Sequence, residues 1–360
     1  MKVKIDGVEK NFRSVWFEDG KLFLIDQTKL PHKFEIFVSD DYRKTAEAIK
    51  NMIVRGAPAI GAVGAYGMVQ VVKNAEENAD NLNEFLDLVR KGSEVLKNTR
   101  PTAVNLFHAI DEVLQSVIDH NEVNGSYEIA LEVANKIVET TVNSAYRIGV
   151  FGEKLIKNGY GISTHCNAGW LACVDWGTAL APIYLAHRNG KNIHVYPDET
   201  RPRNQGFLTA WELEQEGVPY TLVIDNDTQH FEDGSVDIVI VGADRIARNG
   251  DVANKIGTRQ RAIVAKEYGI PFYVAAPLET FDLNAKSGKD IAIEERSVDE
   301  ILYSRGLNRE GSIVSVLSGF EKCKTRNLAF DVTPAKYIEG IITEKGIVNP
   351  DEKEILSLFE

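Results

Sequence analysis

Cysteine, methionine and tryptophan are scarce in this 360-residue chain, with three, three and four copies respectively. Cys166, Cys173 and Cys323 make an odd set without disulfide-framework spacing, which argues against a stapled secreted fold and fits a reducing cytosol. No cysteine pair has zinc spacing, the seven histidines are scattered, and His-Glu-x-x-His does not occur, so no metal is expected. Long apolar runs are missing as well. No stretch approaches the roughly 18 consecutive apolar residues that a membrane helix requires, and the N-terminal "MKVKIDGVEKNFRSVWFEDG" has no apolar signal core. Basic charge is short, since 41 Lys and Arg stand against 53 Asp and Glu for a formal net charge of −12. Such a field disfavours nucleic acid and anionic membrane surfaces. An anionic substrate then needs a local cationic site. These absences predict a cytoplasmic protein with neither nucleic acid nor membrane among its partners.

What is present is an ordinary globular composition, 44% hydrophobic, long enough for about two domains. Residues 1–40 alternate apolar and polar in short runs, which predicts a small antiparallel sheet. Helical periodicity follows in "RKTAEAIKNMIV", "LNEFLDLVRKGSEVLK" and "AVNLFHAIDEVLQSVI". The polar break "DHNEVNGS" marks a boundary, giving an N-terminal β-then-helical domain over 1–126 and a C-terminal domain over 127–360 that opens with a long linking helix. Beyond Gly159, "GISTHC", "NIHVYPDE", "PYTLVID", "VDIVIVGAD" and "PFYVAAP" read as short buried strands separated by helices. That alternation predicts an α/β class with a Rossmann-like open parallel sheet, in which ligands bind beyond the carboxyl ends of the strands. Cys166, Asp198, Asp225 and Asp244 all fall at such ends.

The motifs carry chemistry unequally. "RGAPAIGAVGAYG" sets Arg55, Gly56 and Ala57 before a small-residue helix. This suits a phosphate held by backbone N–H groups and a cation, and suits close helix packing equally well. It is neither a Walker loop nor a dinucleotide fingerprint. In "NTRPTAVNL", Arg100 before a proline reads as an ordinary surface arginine at a helix start. "DETRPRNQG", which contains Gln205, is too polar for a core and too dense for a simple turn, and so reads as a binding loop. In "VGADRIARNGDVANKIGT" a lone Asp244 reads first as a helix cap or a partner of Arg245, with Asn254 and Lys255 just ahead of a helix. Cys166, in "STHCNAGW", sits where a strand end and a helix N-terminus would lower a thiol pKa. Cys173 lies in an apolar run and reads as packing.

Taken together, "RGAPAIG", "RPTAVNL", "HCNAG", "LTAWEL", "VGADRIARNGDVANKIGT", "GIPFYVAAP" and "AFDVTPAKYIEGIITEKG" resemble the methylthioribose-1-phosphate isomerases. That family shares a superfamily with the regulatory subunits of translation initiation factor 2B. The resemblance implies an aldose–ketose isomerase that converts 5-methylthioribose 1-phosphate to 5-methylthioribulose 1-phosphate in methionine salvage. It further implies a cytoplasmic homodimer that uses no cofactor. Carried over residue by residue, it implies Cys166 and Asp244 as the catalytic pair. It likewise implies Arg55, Gly56, Ala57, Arg100, Gln205, Asn254 and Lys255 as substrate-binding positions. Asp244 is expected to act as a general acid, kept protonated by an apolar and anionic setting. The stretch "NQGFLTAWEL" is one residue shorter than the family's usual "LQGARLTAWEL", and it bears on the sugar's 5-substituent. Two other readings therefore stay open: a 5-deoxyribose-1-phosphate isomerase, and a non-catalytic regulatory subunit of the initiation-factor type.

Overall fold

The computed structural model describes residues 1–5, 7–100 and 103–360, so Pro101 and Thr102 of "NTRPTAVNL" lie outside the described residues. The chain divides into two compact units, one of residues 12–143 and 170–175, the other of residues 1–11, 144–169 and 176–360. No helix among the described residues is long and apolar enough to cross a membrane.

In the first unit, strands Val15–Glu18, Lys21–Ile25 and Ile36–Ser39 form an antiparallel sheet in chain order. Alternation buries Leu22 and Leu24 and leaves Lys21 in water. Helices Tyr42–Lys50, Ala57–Asn78, Leu82–Lys97 and Val104–His120 follow. Side-chain caps fix two of their starts: Asp41 accepts from the Arg43 N–H, and Asn81 accepts from the Glu84 N–H. Helix Ala57–Asn78 is buried on every side from Ala59 to Val72, as a helix apolar all round must be. Its glycines let a neighbour approach. A Cβ on Gly61 would lie 3.2 Å from the Asn105 carbonyl oxygen, and one on Gly64 would lie 2.6 Å from Leu106 Cδ1. These contacts ascend together along helices Ala57–Asn78 and Val104–His120, so the two run parallel with their N-termini at one end.

The second unit is built on a six-stranded sheet in the order Gly346–Val348, Gly340–Thr343, Phe272–Ala275, Ile238–Val241, Gly161–Thr164, His194–Pro197. All neighbours are parallel except the hairpin made by the first pair. Strands Gly161–Thr164, Ile238–Val241 and Gly340–Thr343 are buried at every position, as a parallel sheet covered on both faces requires. Chain order leaves Gly161–Thr164 in both directions, first to His194–Pro197 and then to Ile238–Val241 on the other side. This reversal is the switch point where open α/β sheets form their ligand crevice.

"PYTLVID" runs parallel beside the edge strand His194–Pro197, without the regular pairing of a full strand. Two bridges, Val195↔Tyr220 and Asp198↔Val223, mark it, and the Thr221 and Val223 N–H groups donate to the Val195 and Pro197 carbonyls at 2.9 and 3.0 Å. A separate four-stranded sheet, Phe281–Asp282, Arg245–Ala247, Val252–Lys255 and Phe330–Thr333, lies past the strand ends and carries two of the motif residues.

Candidate active site

Cys166 comes two residues after strand Gly161–Thr164, and Asp244 comes three residues after Ile238–Val241. These strands are direct neighbours, pairing Ile162↔Ile238 and Ser163↔Val239. The two residues thus leave adjacent strands at the switch point. Cys166 does so in a left-handed conformation, φ 66°, which costs a residue bearing a Cβ roughly 1–2 kcal/mol. Its N–H donates to Thr200 Oγ1 at 2.9 Å.

Beneath Cys166 lies a buried ionic network. His165 Nδ1 is 2.7 Å from Asp198 Oδ2, and His165 Nε2 donates to the Ile256 carbonyl at 2.8 Å. The Arg261 guanidinium closes on both Asp198 oxygens, with Nε donating to Oδ2 at 3.0 Å. All three side chains are buried. His165, Asp198 and Asp225 place possible ligand atoms within 4.8 Å of one another. Asp198 is taken up by Arg261 and His165, and Asp225 accepts the Thr200 and Arg201 N–H groups at 2.7 and 2.6 Å. This donor set is therefore built as an ion-pair and hydrogen-bond scaffold.

Asp244 does not start a helix. Strand Arg245–Ala247 follows it, its own N–H donates to the Ala253 carbonyl at 3.0 Å, and Arg245 pairs with Asp282 at 3.3 Å. Asp244 is exposed, so its surroundings in this unit are not the dehydrated ones expected from sequence. Strand Val252–Lys255 pairs Ala253 with Arg245 and so brings Asn254 and Lys255 beside Asp244. Asn254 Nδ2 donates to Thr258 Oγ1 at 3.0 Å. Lys255 is only 5% exposed; its Nζ donates to the Ala329 carbonyl at 3.0 Å and sits 5.3 Å from the Phe330 ring centroid. Burial pushes the Lys255 ammonium below the ordinary lysine value; Cys166 opposes that shift, Arg296 adds to it, and Asp244 and Glu300 oppose it. Lys255 therefore lies in the electrostatic reach of both Cys166 and Asp244.

Gln205 ends the loop "DETRPRNQG" and precedes helix Gly206–Glu216. It is buried, and its Oε1 has no hydrogen-bond partner among the described residues. Asn204 Oδ1 is likewise buried without a hydrogen-bond partner among the described residues, whereas the two arginines of this loop make internal contacts. Arg201 Nη2 donates to the Ile301 carbonyl at 3.0 Å, and Arg203 pairs with Glu300 at 2.9 Å. The loop thus combines internal contacts with buried, unpartnered oxygens, and polarity alone does not separate the two kinds of residue.

The remaining residues belong to the first unit. Gly56 precedes helix Ala57–Asn78 at φ 95°, a value that glycine adopts without strain. Arg55 stands two residues before that helix, and Arg100 stands four before helix Val104–His120; both are half-buried. Two parallel helix N-termini with an arginine ahead of each form an end suited to an anion. The motif "RGAPAIGAVGAYG" therefore divides: Gly61 and Gly64 serve packing, and Arg55, Gly56 and Ala57 lie at the electropositive end. Cys173 is buried, as its apolar run predicts.

The initiation factor 2 subunit family matches residues 53–350. Over 345 residues the chain is 48% identical to the methylthioribose-1-phosphate isomerase of Acetivibrio thermocellus, covering 95% of this chain and 98% of that one. It is 44% identical over 362 residues to the same-named protein of Escherichia coli O45:K1, covering 97% and 95%. Among solved structures, 5-methylthioribose 1-phosphate isomerase from Pyrococcus horikoshii OT3 superposes with TM-score 0.88 at 41% identity, covering 97% and 96%. Translation initiation factor eIF-2B, subunit delta, from A. fulgidus superposes with TM-score 0.85 at 40% identity, covering 96% and 100%.

Proposed function

This chain belongs to the initiation factor 2 subunit family, among its methylthioribose-1-phosphate isomerases, and we propose on that premise that it converts 5-methylthioribose 1-phosphate to 5-methylthioribulose 1-phosphate. One observation carries the reading. Cys166 and Asp244 leave adjacent parallel strands at the switch point, with the buried Lys255 in electrostatic reach of both.

In a sugar 1-phosphate the anomeric carbon is blocked, so the ring does not open by the free-aldose route. Asp244 donates a proton to the ring oxygen as that C–O bond breaks. That role requires Asp244 to carry the proton when substrate is bound. Hydrogen then passes from C2 to C1. In the enediol route Cys166 takes the C2 proton as base; in the hydride route it stabilises the charge that develops. Arg55, Gly56, Ala57, Arg100, Gln205, Asn254 and Lys255 are assigned to substrate binding. The buried Gln205 Oε1 suits a sugar hydroxyl donor, and the arginines and Lys255 suit the phosphate. A cytoplasmic homodimer working in methionine salvage completes the proposal. Kinetic comparison of 5-methylthioribose, 5-deoxyribose and ribose 1-phosphates tests it. The highest kcat/KM is expected for the methylthio sugar, and a preference for the 5-deoxy sugar would reassign the pathway.

A further inference from the structure

The motif "LTAWEL" lies against Cys166. Its helix, Gly206–Glu216, begins so close to the edge strand that a Cβ on Gly206 would fall 1.7 Å from the Asp198 carbonyl oxygen. Thr209 and Glu212, three residues apart, share one helix face and meet the turn around Cys166. Thr209 Oγ1 donates to the Cys166 carbonyl at 2.7 Å and accepts from Asn167 Nδ2 at 3.2 Å. Asn167 Nδ2 also donates to Glu212 Oε1 at 2.8 Å. On the opposite side of the same residue, the Cys166 N–H donates to Thr200 Oγ1 at 2.9 Å.

Thr200 is itself left-handed at φ 62°, beside Cys166 at φ 66°. Positive φ is rare for any residue with a Cβ and rarer still for a β-branched one. Two such residues joined by a hydrogen bond persist only where the surroundings over-determine them. The supports are on the page. Asp225 accepts the Thr200 N–H, Thr200 Oγ1 donates to the Asp198 carbonyl at 3.0 Å, and Thr200 and Thr209 are wholly buried.

We propose that Thr200 and Thr209 are positioning residues that grip the Cys166 peptide from its N–H and its carbonyl, holding it left-handed so that the thiol is presented to the substrate. The inference rests on the assignment of Cys166 to the reaction. Thr209→Val keeps the side-chain volume and removes the hydroxyl; Thr209→Ser keeps the hydroxyl. In Thr209→Val, kcat falls by roughly 10–100-fold with KM within about threefold, the pattern of a displaced reacting group. The rate at which iodoacetamide modifies Cys166, followed by mass spectrometry of its peptide, shifts as well. Thr209→Ser restores both. A folded Thr209→Val protein with wild-type kcat and wild-type alkylation overturns the proposal, whatever its melting temperature. If Thr209→Val does not fold, Thr200→Val decides by the same two readouts. A Cys166→Ser control separates the failures: undiminished turnover there removes the catalytic assignment, whereas an inactive Cys166→Ser beside an unaffected Thr209→Val removes the positioning alone.

Discussion

Replacing Gly169 by alanine should damage both stability and activity, and the structure sets the size of the effect. A Cβ at this position would sit 1.8 Å from Glu212 Oε2 and 2.5 Å from its Cδ. The carboxylate has nowhere to retreat, because Glu212 is wholly buried and accepts from Tyr184 Oη at 2.6 Å and Asn167 Nδ2 at 2.8 Å. Burial of the Tyr184 phenol, followed by the Glu212 charge, raises that phenol well above the ordinary value. Hydrogen bonds to a charged group contribute about 1.5–3 kcal/mol each, so displacing both costs roughly 3–6 kcal/mol. Urea unfolding followed by circular dichroism measures the loss. Gly306→Ala is the control, since no atom lies within 4 Å of its added Cβ; a change within about 0.5 kcal/mol is expected there. Turnover per folded molecule should fall too, because Asn167 adjoins Cys166. A Gly169→Ala protein that loses less than about 1 kcal/mol would refute the account of Glu212 as a fixed support.

Lys255 has a depressed folded value, so between that value and the ordinary 10.5 the unfolded chain holds a proton that the folded chain has released. Stability of the free protein should therefore rise with pH across that window, while phosphate binding, which needs the ammonium, weakens. Thermal melts with and without inorganic phosphate check both signs, and Lys255→Met should flatten both slopes. Asp244→Asn removes the transferable proton and keeps the shape; turnover should drop by roughly 10²–10⁴ with KM within a few-fold, as steady-state kinetics would show. Cys173→Ser puts a hydroxyl at a buried position and should destabilise by about 1–3 kcal/mol, read from the denaturation midpoint, with kcat per folded molecule unchanged.

Much of the fold was legible because local patterns agreed with tertiary structure. Helix Leu82–Lys97 coincides with the periodic run "LNEFLDLVRKGSEVLK", and four of the five expected strands form around the switch point. "PYTLVID" lines the edge of the main sheet through bridges rather than as a full strand, and a β-branched apolar run does not say how regularly a neighbour meets it. The strand Gly340–Thr343 and the small sheet holding Asn254 and Lys255 went unread because their runs are short and their partners distant in sequence. At the site, Cys166 stood out by its place at a strand end, whereas Asp244 alone reads as a helix cap and was singled out only by the family resemblance. The supports did not show, since a serviceable Thr200 or Arg261 looks like any loop threonine or helix arginine. The spacing of Thr209 and Glu212 within "LTAWEL" was the one available signal.

The central claim is that Cys166 and Asp244 interconvert an aldose and a ketose phosphate. Carbon NMR of the purified protein with 5-methylthioribose 1-phosphate labelled at C2 tests it directly. The account predicts that the C2 alcohol resonance gives way to a ketone resonance with wild-type protein, and that it persists with Cys166→Ser and with Asp244→Asn. Absence of ketone with the wild type, or its undiminished appearance with both variants, would contradict it.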